Sequence, residues 1–387
     1  MMLLIQMAMA DCLTLSGGTV YVDGGPVQHD LHIVDDRISA SPIAGCDSLE
    51  VDGLHVTAGL IDPSTALGLT EVSMEHRNED STSSGAGYRV ADGYNPRSTL
   101  IPVARMGGVT NAITVPSGHL VGGTGAFVQL SGELQSGAVL VEDVAMVAGI
   151  GGNGAESLYR LRLLLDEARR YKGAWDSTTF THPEADLKAL QPVLRGELPL
   201  VISVERASDI EALLRFVDEQ RIKVVLKGAS EGWMVAAELA ERDIPVIVNS
   251  IVYGPGSFDQ RHARPDNAAL LHEAGVTVMF SSFSAHNPRE LTQFAGNAVR
   301  EGLPHDAGLQ AITANPAEAF GLDGYGSLAP GSVANVVVWT GDPLELSSSV
   351  EHLFIAGEPQ SLESRQTELR DRYMELPGSP VPGLSLD

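Results

Sequence analysis

Lysine is scarce in this sequence: the 387 residues contain four, namely Lys172, Lys188, Lys223 and Lys227. Lysine and arginine together number 25 against 50 aspartates and glutamates, so the formal net charge is -25. An acidic surface repels phosphate backbones and anionic lipid headgroups. We therefore expect neither a nucleic acid partner nor insertion into a membrane, and a lysine near a predicted site indicates a local need for positive charge.

Cysteine is equally rare, with only Cys12 and Cys46. Their number and spacing exclude a zinc ribbon and a redox motif. Both residues fall in strand-like segments near the N-terminus. A disulfide is expected if the protein reaches an oxidising compartment, and two buried thiols are the alternative.

Long hydrophobic runs are absent, apart from the first ten residues of "MMLLIQMAMADC". Ala8-Met9-Ala10 resembles a signal-peptidase site, but the segment lacks a basic start and is too short to span a bilayer. We interpret residues 1–10 as a truncated signal segment and expect an exported or periplasmic protein. The alternative is an apolar lead-in to a first strand of a cytoplasmic protein.

Both ends of the chain show alternating apolar residues interrupted by turns. The N-terminal end contains "GGTVYVDGGPV" and "HDLHIVDDRISA", and the C-terminal end contains "GSVANVVVWTGDPLEL". This texture is typical of short strands. We predict one discontinuous β-sandwich domain formed by residues 11–57 and 321–360, followed by a C-terminal helix and loose tail at 361–387.

The middle of the chain, residues 58–320, alternates buried strands with amphipathic helices. Runs such as "VTNAITV", "IKVVLKG" and "VTVMFSS" are almost continuously apolar, as in parallel strands covered on both faces. The fold class is therefore α/β, with a (β/α)8 TIM-type barrel. Seven strands can be assigned; the fourth is unassigned, in a gap bracketed by helices predicted at 156–171 and 184–195.

Four segments resemble the amidohydrolase superfamily, particularly its imidazolonepropionase-like, often exported, members. They are "VDGLHVTAGLID", "VERASDI" with "VVLKGASEGW", "SSFSAHNPREL", and "GLQAITANPAEAFGL" with "GSLAPGSVANVVVW". They occur in the family's order and cover nearly the whole chain. The resemblance implies hydrolysis of non-peptide C–N bonds in a small cyclic amide or peptide-like substrate, with a divalent metal such as zinc as the family's cofactor.

The family's metal-binding residues are largely replaced. Its first barrel strand ends in His-x-His, where this chain has Ser64 and Ala66. Two further histidines correspond to Glu205 and a position near Lys227, and the catalytic aspartate to Ser282 or Phe283. Alanine and phenylalanine offer no ligand atom, a neutral serine hydroxyl is a poor ligand, and an ammonium is none. We therefore predict no cofactor.

Several polar residues remain candidates for the site. The candidate catalytic residues are Glu205, Lys227 and His286, and the candidate substrate-binding residues are Ser64, Tyr253, Arg264 and His286. Glu205 could instead form a salt bridge or cap a helix, and His286 could make a loop-fixing hydrogen bond. The loop "VYGPGSFDQRHARPDN", which contains Tyr253 and Arg264, could line the pocket or be an ordinary surface turn. The polar segment after the first barrel strand could act as a lid, and its His76 or Glu79 could supply substitute ligands.

Three functions fit these residues. The first is an amidohydrolase with an unusual metal set, such as Glu205, His286 and a loop histidine. The second is a catalytically silent barrel that binds a small molecule or acts as a scaffold. The third is metal-free acid/base chemistry by Glu205 and Lys227. A small-molecule ligand suits all three, and a homo-oligomer remains an open alternative.

We also expect Glu205 and Lys227 to neutralise each other at the barrel mouth. A buried carboxylate without a partner is costly, so a nearby cation is physically expected. The pairing depends on strand parity. If Leu226 pointed into the barrel, Lys227 would point outward.

Overall fold

The computed structural model describes residues 12–22, 25–72, 80–82, 85–118, 120–251 and 254–374. The expected signal segment and the predicted loose tail beyond residue 374 lie outside these ranges. The strands are β1 (Cys12–Ser16), β2 (Thr19–Val22), β3 (Gly25–Gln28), β4 (Leu31–Val34), β5 (Arg37–Ser39), β6 (Asp47–Glu50), β7 (His55–Ala58), β8 (Leu60–Thr65), β9 (Val109–Thr114), β10 (Val121–Gln129), β11 (Val139–Gly149), β12 (Leu200–Val204), β13 (Val224–Gly228), β14 (Val246–Val248), β15 (Val278–Phe280), β16 (Val336–Trp339), β17 (Val350–Ile355) and β18 (Glu358–Pro359).

Most of the helices connect or cover these strands. They are α1 (Leu100–Arg105), α2 (Gln135–Ala138), α3 (Gly154–Arg170), α4 (Glu184–Ala189), α5 (Gln191–Leu194), α6 (Ala207–Gln220), α7 (Ala236–Ala240), α8 (Asn267–Glu273), α9 (Leu291–Arg300), α10 (His305–Gln310), α11 (Ala314–Ala319) and α12 (Arg365–Met374). Among the described residues, no helix combines the length and the apolar character needed to cross a membrane.

Two sheets built from both ends of the chain form the small β domain. One sheet has the order β5-β4-β1-β6 and the other β18-β17-β16-β7-β2-β3. The ends meet where Val336 of β16 pairs with Ala58 of β7. Leu15 and Ile33 of the first sheet share one buried core with Val56 and Val338 of the second. The predicted discontinuous β-sandwich is therefore confirmed.

Cys12 and Cys46 form a disulfide within this domain, with their Cα atoms 5.0 Å apart. The bridge joins the start of β1 to the residue before β6, and these two strands pair in parallel. The expected pairing of the two cysteines is confirmed.

The central sheet contains eight strands in the order β15-β14-β13-β12-β11-β10-β9-β8 and forms a nearly closed barrel. The predicted TIM-type barrel is confirmed, but not all of its strands are parallel. Strand β10 runs antiparallel to both β9 and β11. The six residues between β9 and β10 explain the reversal, because a parallel crossover needs a dozen residues or more.

The fourth barrel strand is β11, which precedes α3. The prediction of a gap bracketed by helices at 156–171 and 184–195 was therefore wrong. No strand lies between α3 and α4, and all residues of that connection are described. The outer half of β11, from Leu140 to Asp143, is exposed, so its sequence lacks the continuous apolar run of a covered strand.

Alternate residues of most barrel strands face opposite sides of the barrel wall, and β11, whose pairing with β10 is irregular, departs from this pattern at Val144 and Ala145. Every strand contributes to an interior core, whose strand members are Ile61, Ile113, Phe127, Val144, Ala145, Val147, Val201, Val225, Ile247 and Met279. Leu226 belongs instead to the core shared with the surrounding helices. Because side chains alternate along a strand, Lys227 lies on the interior face with Val225.

The barrel is completed between β8 and β15 by other contacts. At one end, Ile61 N–H donates to the carbonyl of Ile312 (2.9 Å), and Phe280 N–H donates to the carbonyl of Ala311 (3.1 Å). At the other, the Ser281 hydroxyl oxygen lies 2.8 Å from the Ser64 carbonyl oxygen. The seam beside β8 is therefore held partly by side chains, at the position where the site residues gather.

Candidate functional site

Lys227 places a cation inside the barrel mouth. It lies near the C-terminal end of β13, where barrel enzymes place their catalytic groups. Its Nζ lies 4.7 Å from the centre of the Phe283 ring, a cation–π distance. Burial lowers the pKa of Lys227 to about 8, although the charges of Asp62 and then Glu205 act to raise it. The group is therefore close to its titration point at neutral to mildly alkaline pH.

Asp62 is a site residue that the sequence reasoning missed. Its carboxylate is fully buried and accepts hydrogen bonds of 2.5 Å from both the Ser281 and the Ser282 hydroxyls. The Ser64 N–H donates to the same carboxylate at 3.2 Å. Burial raises the pKa of Asp62, and these hydrogen bonds counteract that rise. The signal was present, because Asp62 stands two residues before Ser64 in "LIDPSTALGL".

Glu205 follows β12 at the same end of the barrel. Its carboxylate accepts the Ser230 hydroxyl at 2.5 Å and the Ser230 N–H at 3.1 Å. Gly228 permits this approach, since a Cβ atom there would lie 2.5 Å from Glu205 Oε1. No direct ion pair joins Glu205 and Lys227, both of which the structure describes. The expected pair is therefore a looser three-group cluster in which Asp62 acts more strongly on Lys227.

The end of β15 carries the positions aligned with the catalytic aspartate. Ser282 uses its hydroxyl to hold Asp62, and Phe283 covers Lys227. Phe283 has a φ of 52°, in the left-handed region that side chains with a Cβ rarely adopt. Such backbone strain is maintained by surrounding structure and is common at functional sites.

The remaining candidates are spread around the mouth. Ser64 is buried, and its hydroxyl has no hydrogen-bond partner among the described residues. Ala66 is partly buried. His286 Nε2 lies 3.2 Å from the Glu71 carbonyl, a loop-fixing contact. Tyr253, His76 and Glu79 fall outside the described residues.

Arg264 lies over the Trp233 ring at 4.7 Å and donates to both oxygens of Asp266, at 2.7 and 2.5 Å. It lines a small cavity of about 120 Å³ together with Glu205, Asn249 and Phe283. Two of the predicted site residues, Glu205 and Arg264, are thus brought to one cavity. Lys227 adjoins it through Phe283.

The donor set does not fit a divalent metal held in the family's manner. Of the aligned ligand positions, Ser64, Ala66, Glu205, Lys227 and Phe283, only Glu205 offers an anionic oxygen. Asp62 adds a second, but it is engaged by Ser281 and Ser282. Within the described ranges, no three His, Cys, Asp or Glu side chains come together as a metal site.

Comparison with known proteins gives a consistent group of relatives. Residues 237–360 match the model of the Amidohydrolase family. A curated protein from Hapsidospora irregularis, Amidohydrolase tasK, is 20% identical over 424 residues, covering 94% of this chain and 42% of its own length. The chain therefore spans about two fifths of the length of that relative.

Solved structures share the fold. A Thermotoga maritima MSB8 amidohydrolase superposes with a TM-score of 0.81 at 22% identity, covering 90% of this chain and 99% of its own. The β-aspartyl dipeptidase of Fervidobacterium islandicum AW-1, in complex with a β-Asp-Leu dipeptide, has a TM-score of 0.54 at 14% identity. That match covers 91% of this chain and 97% of the dipeptidase.

Proposed function

This chain belongs to the amidohydrolase superfamily, and from that premise we propose that it hydrolyses C–N bonds in a small cyclic amide or peptide-like substrate without the superfamily's usual metal mechanism. The cyclic-amide class rests on the sequence resemblance to imidazolonepropionase-like members. The peptide-like class is supported by the dipeptide bound to the Fervidobacterium structure. The assignment as an amidohydrolase-family hydrolase does not depend on which of these two substrate classes is correct.

The observation that carries the proposal is the position of Lys227. Its ammonium lies inside the barrel mouth, where the resemblance predicts a metal ligand, and it interacts electrostatically with Asp62 and Glu205. A positive charge therefore lies where the superfamily would hold an ion. An ammonium fixed in a site of restricted solvent access can stabilise the oxyanion that forms when an amide carbonyl is attacked.

Glu205 is the candidate general base. It borders the small cavity, and both hydrogen bonds from Ser230 go to its Oε2, which leaves Oε1 for a water molecule. A base must lie within hydrogen-bond reach of the proton it removes. Glu205 then takes the proton from the water that attacks the carbonyl carbon, while Lys227 donates a hydrogen bond to the developing oxyanion. When this intermediate collapses, the C–N bond breaks and the protonated Glu205 returns its proton to the leaving nitrogen, which regenerates the carboxylate.

We expect protein purified without chelator to contain well below one divalent ion per chain, as measured by inductively coupled plasma mass spectrometry. Hydrolysis of a panel of cyclic amides and dipeptides should survive chelator treatment. Replacing Lys227 by Met, or Glu205 by Gln, should lower kcat/KM by roughly a hundredfold or more. The exposed Lys223→Met variant is the matched control and should retain activity.

Stoichiometric metal together with loss of activity on chelation would contradict this mechanism. Tight binding of panel compounds without turnover would instead favour the second candidate, a catalytically silent small-molecule-binding barrel. One observation favours that candidate. Asp62 and Glu205, the two mouth carboxylates described above, are both already engaged by serine hydroxyls.

A further inference from the structure

A second cavity lies away from the barrel mouth, between the β domain and helix α10. Its volume is about 360 Å³, and its apolar walls come from Val20, Leu31 and Ile38 of the β domain, Leu309 of α10 and Leu328 before β16. Cavities of this size bind small molecules and occur preferentially between domains. This cavity shares no lining residue with the 120 Å³ cavity at the barrel mouth.

Two aromatic side chains line one part of the cavity. The rings of Tyr21 and His305 are stacked, with centroids 6.0 Å apart and planes inclined by 24°. The Tyr21 hydroxyl shares a hydrogen bond of 2.9 Å with His55 Nδ1. His305 Nε2 lies 2.9 Å from the Asp342 carboxylate. Neighbouring strands and the Asp342 contact thus hold both rings in place.

The fixed charges that line the cavity are carboxylates. Asp30 and Asp306 are among its lining residues, neither lysine nor arginine is, and the other ionisable groups besides Tyr21 are His29 and His305. Asp306 is exposed and forms no ion pair with any other residue in the described part of the chain. Burial and the charge of Asp342 together raise the pKa of Tyr21 to about 12. The negative charge of Asp342 therefore acts on the Tyr21 side chain, which lines the cavity.

We propose that this interdomain cavity binds a small organic amine with an apolar body. The apolar walls accept the body, and the ammonium group faces Asp306 and the electron-rich face of Tyr21. A cation over a tyrosine ring is stabilised by the ring quadrupole. A carboxylate ligand of equal size would meet the negative charges of Asp30 and Asp306. The inference does not depend on the reaction proposed for the barrel mouth.

Isothermal titration calorimetry on the full chain tests the proposal with three compounds of similar size. These are 2-phenylethylamine, which is cationic at neutral pH, 2-phenylethanol, which is neutral, and 3-phenylpropionate, which is anionic. The amine should bind most tightly and the carboxylate most weakly. The affinity for the amine should fall with added salt, because screening weakens charge interactions at a partly exposed site.

Variants locate the binding to this cavity. Asp306→Asn should weaken amine binding by about threefold, and Tyr21→Leu by roughly fivefold. Tyr21→Phe keeps the ring and should bind nearly as well as the native chain. Asp243→Asn, an exposed aspartate that lines a different cavity, is the matched control and should leave binding unchanged.

Three outcomes would overturn the proposal. They are no amine binding, binding of the carboxylate as tight as that of the amine, and amine binding that neither Asp306→Asn nor Tyr21→Leu weakens. If Tyr21→Leu fails to fold, the surface substitution Asp306→Asn still decides between these results, because it removes a charge without changing the side-chain volume.

Discussion

Two opposing effects act on the charged form of Lys227: burial disfavours it, and nearby carboxylates favour it. Burial lowers its pKa from 10.5 to about 8, against the attraction of Asp62 and Glu205. The unfolded chain therefore binds more protons than the folded one between these two pH values. By linkage, the native chain gains stability as the pH rises through this window, by at most about 3 kcal/mol.

Urea unfolding at several pH values tests this expectation against the Lys227→Met variant. The unfolding free energy of the native chain minus that of the variant should increase from about pH 8 to about pH 10.5. The control is Lys223→Met, which removes an exposed lysine directly before β13. It gives the change in unfolding free energy that follows from losing a surface lysine. A difference that is constant across the window would show that Lys227 titrates alike in the folded and unfolded chains.

The sequence identified Glu205 and Lys227 as mouth residues, because both stand near the ends of predicted strands, but it missed Asp62. The direction of Lys227 depended on strand parity, which the structure supplies by placing Val225 in the barrel interior and Leu226 against the helices. The link between Ser281 and Asp62 could not be predicted, because it joins residues 219 positions apart. Their contact depends on how β8 and β15 meet at the seam, and no local pattern encodes that register.

Helix α3 is joined to the segment before α4 by hydrogen bonds to the carboxylate of Glu167. Glu167, 7% exposed, accepts N–H hydrogen bonds from Thr181 (3.0 Å) and His182 (3.1 Å) and the Thr181 hydroxyl (2.5 Å). Burial alone raises the pKa of Glu167. These hydrogen bonds and the contact of His182 Nδ1 with the carboxylate (3.0 Å) outweigh burial and hold the pKa at about 2. The charged form is therefore the one that stabilises the fold.

Replacing Glu167 by Gln should cost about 1–3 kcal/mol of unfolding free energy at neutral pH. Because the folded pKa is depressed, this contribution is complete above about pH 4.5 and is lost as the pH falls toward 2. Chemical denaturation of both proteins at pH 7 and at pH 3 measures the change. Glu156→Gln on the same helix, which breaks only an exposed pair with Arg160, should cost about 0.5 kcal/mol or less.

Strand direction shows where sequence reasoning about elements falls short. The run "VTNAITV" gave β9 correctly, because a continuous apolar run marks a covered strand. Such a run contains no information on direction, which is set by the length of the connection to the next strand. The six residues between β9 and β10 were a usable signal for an antiparallel neighbour.

The two ends of the chain fold together into one β domain. β7 leads into the barrel and β16 returns from it, and the pairing of these strands makes one core from distant segments. The alternation of apolar residues with turns at both ends of the sequence predicted this arrangement. The homo-oligomer and the site of action in the cell remain predictions.

The disulfide supplies the last prediction. Cys12 and Cys46 are separated by 34 positions, and closing a loop of that length lowers the entropy of the unfolded chain by the equivalent of about 3–4 kcal/mol. The Cys12→Ser/Cys46→Ser double variant should therefore lose roughly that much unfolding free energy in urea. We propose on the same ground that the protein acts in an oxidising, exported compartment, since disulfides are rare where thiols are kept reduced.

The control is a reducing agent, which should destabilise the native chain and leave the double variant unaffected. The compartment is tested by thiol counting on protein isolated from its own cells with thiols blocked at lysis. Finding both cysteines alkylated would reject the exported location, whereas finding neither alkylated would support it. Because the disulfide joins the start of β1 to the residue before β6 in one sheet of the β domain, the lost stability should appear first as unfolding of that domain.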